Sequence, residues 1–218
     1  GFYQAPFNVE ISTKTNGASI VYTIDGSEPS LENGIKVSSE NIEQEVSTTI
    51  YIDKTTTLRA AAFKEGLLPS NIDTQTYLFL DDIVTQSERP EGYPYPWVNR
   101  NGQSIEGDYG MDPNVVGKLY SVEEIKESLL DVPTVSIVTD KNNLFGNQSG
   151  IQVNPRDSGA TSEREISIEF INFENVKNSQ ENAGLRMNGN ASRLVSRPKH
   201  NLRVIFRDDY GKGILNYP

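Results

Sequence analysis

The residues best suited to chemistry lie between positions 184 and 200, where a polar, glycine-containing segment joins two apolar runs. These runs, residues 183–187 and 202–206, are typical of β-strands. The segment and its ends carry four cations and a serine: Arg186, Ser192, Arg193, Arg197 and Lys199. Glycine lets a backbone approach a ligand closely and cations neutralise negative charge, so the segment could wrap an anion. The alternative interpretation of any single arginine is a solvated strand face.

Charge is distributed unevenly along the 218 residues. The formal net charge is -10 at pH 7, yet residues 183–218 contain seven Lys or Arg and only two acids. The acidic remainder argues against general nucleic-acid binding. The basic end suits a small anion, such as a nucleotide phosphate, or an acidic partner.

The composition excludes several kinds of site. The absence of cysteine rules out disulfides, thiolate metal sites and cysteine nucleophiles. The single histidine, His200, argues against a histidine metal cage or a histidine-driven triad. No apolar run approaches the roughly 20 residues that a membrane span needs. The first residues lack the basic and apolar regions of a signal peptide, so we expect a mature protein or an excised fragment.

Residues 1–80 alternate between apolar and polar positions, as β-strands with one buried face do. Phe7, Val9 and Ile11 share one face of a strand, and Ile20, Tyr22 and Ile24 share a face of the next. Such segments, separated by turn residues, predict an antiparallel sandwich. The pair Asn16-Gly17 predicts a hairpin between the first two strands.

Residues 81–132 are rich in Pro, Gly, Asn and aromatic residues and lack periodicity, which predicts an ordered connection between two domains. Tyr93, Tyr95 and Trp97 in this segment could form a carbohydrate platform, although packing of the connection is the preferred interpretation. The carboxylates of Asp108 and Asp112 are by themselves too few for a calcium site, which needs roughly six oxygen ligands, so a calcium-stabilised module stays an open alternative.

The sequence of residues 121–130 predicts a short helix. Ser121 and Glu124 have the spacing of a capping box, which satisfies free backbone N–H groups where a helix begins. We see no chemistry in this helix. Strands are predicted at residues 134–139, 150–154 and 165–171, the last of them half-exposed, with turns at 140–146 and 208–211 and a polar connection at 172–182.

Two family resemblances add to this interpretation. Residues 21–30, 55–66, 69–70 and 76–77 resemble the chitobiase/β-hexosaminidase C-terminal domain. That family implies a small immunoglobulin- or fibronectin-III-like sandwich at residues 1–80, attached to secreted bacterial proteins, and little about function because such modules are often spacers.

The second resemblance spans residues 77–218 and is to CotH kinase family proteins, which are secreted or spore-coat kinase-like proteins. It rests on segments in the family's order: residues 78–82, 109–113, 133–138, 144–146, 150–155, 167–170, 183–186, 191–193, 198–200 and 210–218. It implies that residues 133–218 begin a kinase-N-lobe-like, α+β antiparallel sheet with one short helix. The expected fold is therefore mainly β.

The CotH resemblance also implies a nucleotide site. Arg186, Gly189 and Ser192 match a phosphate-covering loop, and Lys199 matches the lysine that pairs with phosphates. Asn188 and Asn190 depart from the Arg and Gly that are common in the family, which would weaken phosphate binding. The catalytic aspartate and the metal-binding acids of such a fold would follow Pro218, so we expect no catalytic residue in this fragment.

Two functions are therefore carried forward. The first is the N-terminal portion of a secreted bacterial CotH-like kinase, whose full-length form would bind ATP with Mg²⁺ or Mn²⁺ and phosphorylate a protein substrate, with the remaining C-terminal part of its own chain as its partner. The second is a non-catalytic extracellular segment of a large surface protein, which serves adhesion, acts as a scaffold or binds an extracellular polysaccharide. We expect no nucleic-acid partner and a location outside the cell or on its surface.

Overall fold

A computed structural model describes residues 1–173, 179–211 and 213–215. The chain divides into two compact units, Gly1–Asp82 and Ile83–Pro218, called unit 1 and unit 2. The fold is mainly β with antiparallel sheets, which confirms the predicted fold class.

Unit 1 is built from two sheets. A five-stranded sheet has the order β1-β7-β6-β3-β4 and a two-stranded sheet pairs β2 with β5. The strands are β1 Phe2–Tyr3, β2 Phe7–Thr13, β3 Ser19–Thr23, β4 Ile35–Ser38, β5 Val46–Ile52, β6 Thr56–Phe63 and β7 Asp73–Phe79, followed by the helix α1 Leu80–Val84. Ile50 and Ile52 from the smaller sheet form one apolar core with Leu58, Tyr77 and Phe79 from the larger sheet, as in a β-sandwich.

The hairpin predicted at Asn16-Gly17 is wrong. β2 pairs with β5, whereas β3 pairs with β4 and β6, so the chain crosses from one sheet to the other at this point. Gly17 does form a turn, with a left-handed φ of 68°, and its N–H donates to the carbonyl of Gln44 at 3.2 Å. Ile24 was expected to face inward with Ile20, but it lies beyond the end of β3 and is 47% exposed.

Unit 2 contains a four-stranded antiparallel sheet in the order β10-β11-β12-β13. Its elements are β8 Trp97–Val98, β9 Ser104–Ile105, α2 Val122–Asp131, β10 Thr134–Val138, α3 Lys141–Phe145, β11 Arg164–Ile171, β12 Ser179–Asn188 and β13 Asn201–Ile205. The helix predicted at residues 121–130 is confirmed with its capping box. The Glu124 N–H donates to Ser121 Oγ at 3.2 Å, and the Ser121 N–H donates to Glu124 Oε2 at 2.8 Å.

Two local predictions in unit 2 are wrong. Residues 140–146 were expected to be a turn, but Asp140 caps the helix α3 by accepting from the Asn142 N–H. Residues 150–154 were expected to be a strand, but they form turns in which the Gly150 N–H donates to the carbonyl of Gly146. Ile151 is nevertheless buried against the sheet, so this segment contributes to the core as a loop.

The sheet of unit 2 has an apolar face and a polar face. The apolar face carries the buried core, including Ile166, Ile168, Ala183 and Leu185. The other face, called the polar face, carries Ser167, Asn182, Gly184, Arg186 and Arg203, since these positions are paired in register or alternate along one strand.

The expectation that β11 is half-exposed is wrong. Ser167 is 1% exposed and Glu169 is 5% exposed, although both side chains lie on the polar face. Polar side chains of β12 provide hydrogen-bond partners on this face. Gln180 Nε2 donates to Ser167 Oγ at 2.7 Å and to Asn182 Oδ1 at 2.8 Å. Residues 179–182 of the predicted polar connection belong to β12, and residues 174–178 lie outside the described residues.

Candidate functional site

The hairpin of β12 and β13 brings together part of the predicted phosphate loop. The two strands pair up to Asn188 and Asn201, and residues 189–200 connect them. Gly189 has a φ of 97°, and a Cβ built there would lie 2.1 Å from Ser192 Oγ, so the tight turn requires glycine. The Ser192 hydroxyl donates to the carbonyl of Asn188 at 3.3 Å. Gly189 and Ser192 therefore lie in one compact turn at the end of β12.

Arg186 lies on the polar face, two residues before Asn188 at the end of β12. Its Nη2 forms an ion pair with Glu163 Oε2, and the Glu163 side chain is only 5% exposed. Arg207 Nε lies 3.3 Å from the other oxygen of the same carboxylate. One buried carboxylate thus holds two guanidinium groups, whose charge it partly neutralises.

Tyr210 completes the surroundings of Glu163. Burial raises the pKa of the Tyr210 hydroxyl, and its hydrogen bond to the Glu163 carboxylate raises that pKa further. The phenol therefore stays protonated and acts as a donor to Glu163 at neutral pH. A Cβ added at Gly184 would lie 2.5 Å from Glu163 Oε1, so the small residue in β12 leaves the space that this carboxylate occupies.

Lys199 binds a different carboxylate. Its Nζ lies 3.2 Å from Asp108 Oδ2, and the lysine side chain is 84% exposed. Both residues line a cavity of about 500 Å³ together with Glu88, Asp112 and Met111. The predicted site residues therefore fall into two groups: Arg186 is held by Glu163, while Lys199 lies at a cavity whose lining includes three carboxylates.

Two hydrogen bonds to residues 152 and 157 anchor the loop. Gln152 Nε2 donates to the carbonyl of Pro198 at 2.6 Å, and Arg193 Nη1 donates to the carbonyl of Asp157 at 3.3 Å. Within the loop, His200 Nε2 lies 3.2 Å from the carbonyl of Leu194. Of the basic residues singled out in the sequence, Arg193 thus serves to hold the loop in place.

Sequence reasoning missed Glu163 as the partner of Arg186 and missed the pairing of Asp108 with Lys199. Glu163 is 23 residues before Arg186 and Asp108 is 91 before Lys199, so no local spacing relates them. The one available signal for Glu163 was Gly184, a glycine in the middle of a strand, which often marks a place where another group comes close.

The three aromatic residues of the alternative carbohydrate site have different surroundings. Trp97 is 5% exposed, stacks on Phe145 with 5.5 Å between ring centroids, and donates from Nε1 to the Tyr109 hydroxyl at 2.5 Å. Burial raises the pKa of Tyr109, whose hydroxyl donates to the carbonyl of Pro94 at 2.8 Å. These contacts agree with the packing interpretation for Trp97.

Tyr93 and Tyr95 are more accessible. Tyr93 is 40% exposed, and the ammonium group of Lys141 lies 5.3 Å from its ring centroid. Tyr95 is half-buried, with the guanidinium of Arg89 4.3 Å from its ring centroid. Both rings already contact a cation, which a sugar stacking on the same face would displace.

In the part of the chain that the structure describes, no three His, Asp or Glu side chains come together as a metal-binding group. None of the helices among these residues has the length and apolar character needed to cross a membrane.

Comparison with known proteins identifies one part of the chain. Residues 1–74 match the family model of the chitobiase/beta-hexosaminidase C-terminal domain. The match lies within unit 1 and confirms the first resemblance drawn from the sequence. Searches of curated proteins and of solved structures find no match. The resemblance of residues 77–218 to CotH kinase family proteins thus stays a prediction.

Proposed function

We propose that the chain is the N-terminal portion of a secreted bacterial CotH-like atypical kinase, in which unit 1 is an accessory sandwich and unit 2 carries part of a nucleotide-phosphate site. The observation that carries the proposal is the β12–β13 hairpin, which holds Arg186 beside a tight Gly189–Ser192 turn and ends at the exposed Lys199. On this proposal the portion is not catalytic alone, and the remaining C-terminal part of the chain supplies the acids.

The hairpin residues fit the phosphates of ATP better than they fit a metal. Arg186 offers a guanidinium fork that matches phosphate oxygens, and Lys199 offers a mobile ammonium group. Each cation now binds a carboxylate, and the Lys199 ion pair is exposed enough for phosphate to replace Asp108 at low cost. Mg²⁺ or Mn²⁺, when bound, would neutralise the charge that develops on the transferred phosphoryl group. Residues beyond this portion would hold it.

Removal of the lysine charge tests this proposal. In the intact protein, we expect Lys199→Ala to weaken binding of ATP with Mg²⁺ about tenfold or more, because one ion-pair contact to phosphate is lost. Isothermal titration calorimetry measures the affinity. The matched control is Lys118→Ala, since the Lys118 ammonium donates to Asn114 and does not line the cavity at Lys199. Equal affinity of the parent and Lys199→Ala would refute the assigned role.

A second candidate function is favoured by the family match of residues 1–74 to the chitobiase/beta-hexosaminidase C-terminal domain. This candidate is a non-catalytic extracellular segment that binds a polysaccharide or mediates adhesion. Tyr93 and Tyr95 are its accessible aromatic rings.

For this alternative, we expect retention on at least one of chitin, cellulose or an algal polysaccharide in a pull-down. Tyr93→Ala should reduce the retention, because a sugar ring loses its stacking partner. Tyr120→Ala is the control, since Tyr120 is 55% exposed outside the segment of residues 93–97. If none of the three polysaccharides retains the parent protein, the result would count against the carbohydrate function.

A further inference from the structure

The polar face of the unit 2 sheet carries more positive charge beside the hairpin than the sequence analysis assigned. Arg186 and Arg203 are directly opposite each other in the β12–β13 register, so their side chains leave the sheet on the same side. Their Cβ atoms are then about 5 Å apart, the separation of opposed residues in an antiparallel pair. Like charges at such a position destabilise a sheet unless an anion lies between or beside them.

The carboxylate that could relieve this repulsion is already shared. Glu163 binds Arg186 and Arg207, and Arg203 lies opposite Arg186 in the register. One buried carboxylate therefore pairs with two of the three arginines at this end of the face. Glu165 lies on the same face but is paired in register with Gly184, whereas Arg203 is paired with Arg186. Arg203 is exposed at the edge strand β13, where a ligand can reach it.

The surroundings of Arg186 fix its guanidinium group in a position where it can bind an anion. Its side chain is 21% exposed, Glu163 holds Nη2 from one side, and its buried Nε has no hydrogen-bond partner. A guanidinium fixed in this way loses less conformational entropy when it binds a phosphate oxygen with its remaining N–H groups. Glu163 itself is fixed by Arg207 and Tyr210 and by the space at Gly184.

We propose that Arg203 is a further phosphate-binding residue, that Arg186 and Arg203 together receive one phosphate group, and that Glu163 is the positioning residue that holds Arg186 opposite Arg203. The identity of the anion as a nucleotide phosphate rests on the proposed function. The receptor itself requires only a phosphate-type anion.

Two probes separate these claims, namely ATP with Mg²⁺ and inorganic tripolyphosphate, each titrated into the intact protein by calorimetry. We expect Arg203→Gln to weaken both affinities about tenfold, as loss of one charge-assisted contact does. Arg203→Lys should recover part of the loss. Arg156→Gln, which removes an exposed guanidinium charge outside the β12–β13 hairpin, is the matched control and should change either affinity less than about threefold.

The role of Glu163 is tested by Glu163→Gln, which keeps the shape but removes the charge. We expect it to lower tripolyphosphate affinity when Arg186 is present and to have little further effect in an Arg186→Gln background, a coupling that general destabilisation would not produce. If Glu163→Gln fails to fold, the Arg203 variants on the exposed edge strand still decide the proposal.

Each outcome has a distinct meaning. Binding of tripolyphosphate that Arg203→Gln weakens, without binding of ATP, supports the receptor and refutes the nucleotide function. Binding of both probes that Arg203→Gln leaves unchanged refutes the receptor and leaves the nucleotide function standing. Failure of the parent to bind either probe overturns both.

Discussion

Replacing Leu185 by alanine will lower the free energy of unfolding of unit 2 by about 2–5 kcal/mol, the usual cost of deleting a large buried side chain. Leu185 is 1% exposed and lies in the middle of β12, in the core with Ile166, Ile168 and Ala183. The cost has two parts: the lost transfer of apolar atoms out of water and the cavity that the rigid sheet cannot close.

Urea denaturation followed by tryptophan fluorescence measures this effect. Trp97 is the single tryptophan of the chain, is buried, and belongs to unit 2, so its emission reports the unfolding of that unit. Leu202→Ala is the matched control. Leu202 is 45% exposed on β13, and its truncation should change the stability by about 0.5 kcal/mol or less. Similar losses of stability for both variants would mean that Leu185 of β12 does not lie in the core of unit 2.

Replacing Gly184 by alanine will also destabilise unit 2, by about 1–3 kcal/mol if Glu163 only shifts and by about 3–5 kcal/mol if its ion pairs break. The added Cβ would lie 2.5 to 2.8 Å from three atoms of the Glu163 side chain. That side chain is nearly buried and is held by Arg186 and Arg207, so it cannot move away freely.

The same fluorescence measurement applies, with Gly211→Ala as the control. A Cβ at Gly211 would lie 3.8 Å from Asn182 Cβ, an ordinary contact, and should cost little. The double variant Gly184→Ala with Glu163→Ala identifies the cause. If the clash with Glu163 is the reason, the second change will cost less in the Gly184→Ala background than in the parent. If the stability losses of the two single variants simply add in the double variant, the clash between the new Cβ and Glu163 is not the cause.

Much of the secondary structure could be predicted because it depends on local patterns. The alternation of Phe7, Val9 and Ile11 specifies β2, and the Ser121–Glu124 pair specifies the start of α2. Ile151 shows where such patterns mislead, since a buried loop that packs under a sheet produces the same alternation as a strand.

The contact between Gly189 and Ser192 in the loop could be predicted from the sequence, whereas the carboxylates that bind Arg186 and Lys199 could not. Gly189 and Ser192 are three residues apart, and a tight turn brings them into contact whatever the rest of the fold does. The partners of Arg186 and Lys199 depend on how distant segments meet in the folded unit, which charge spacing along the sequence does not encode. The polar face of β11 was misjudged for a related reason, because Gln180 and Asn182 of the neighbouring strand cover Ser167.

The pairing of β1 with β7 has a mechanical consequence for unit 1. Phe2 lies beside Leu78 and Tyr3 beside Phe79, so the first and last strands of the sandwich run parallel. Tension applied to the two ends of the unit pulls β1 in the direction of its N-terminal end and β7 in the direction of its C-terminal end. The two strands must then slide past each other, and their hydrogen bonds are loaded together in shear instead of opening one at a time. The short β1 strand therefore leaves unit 1 under tension only when its pairing with β7 breaks as a whole.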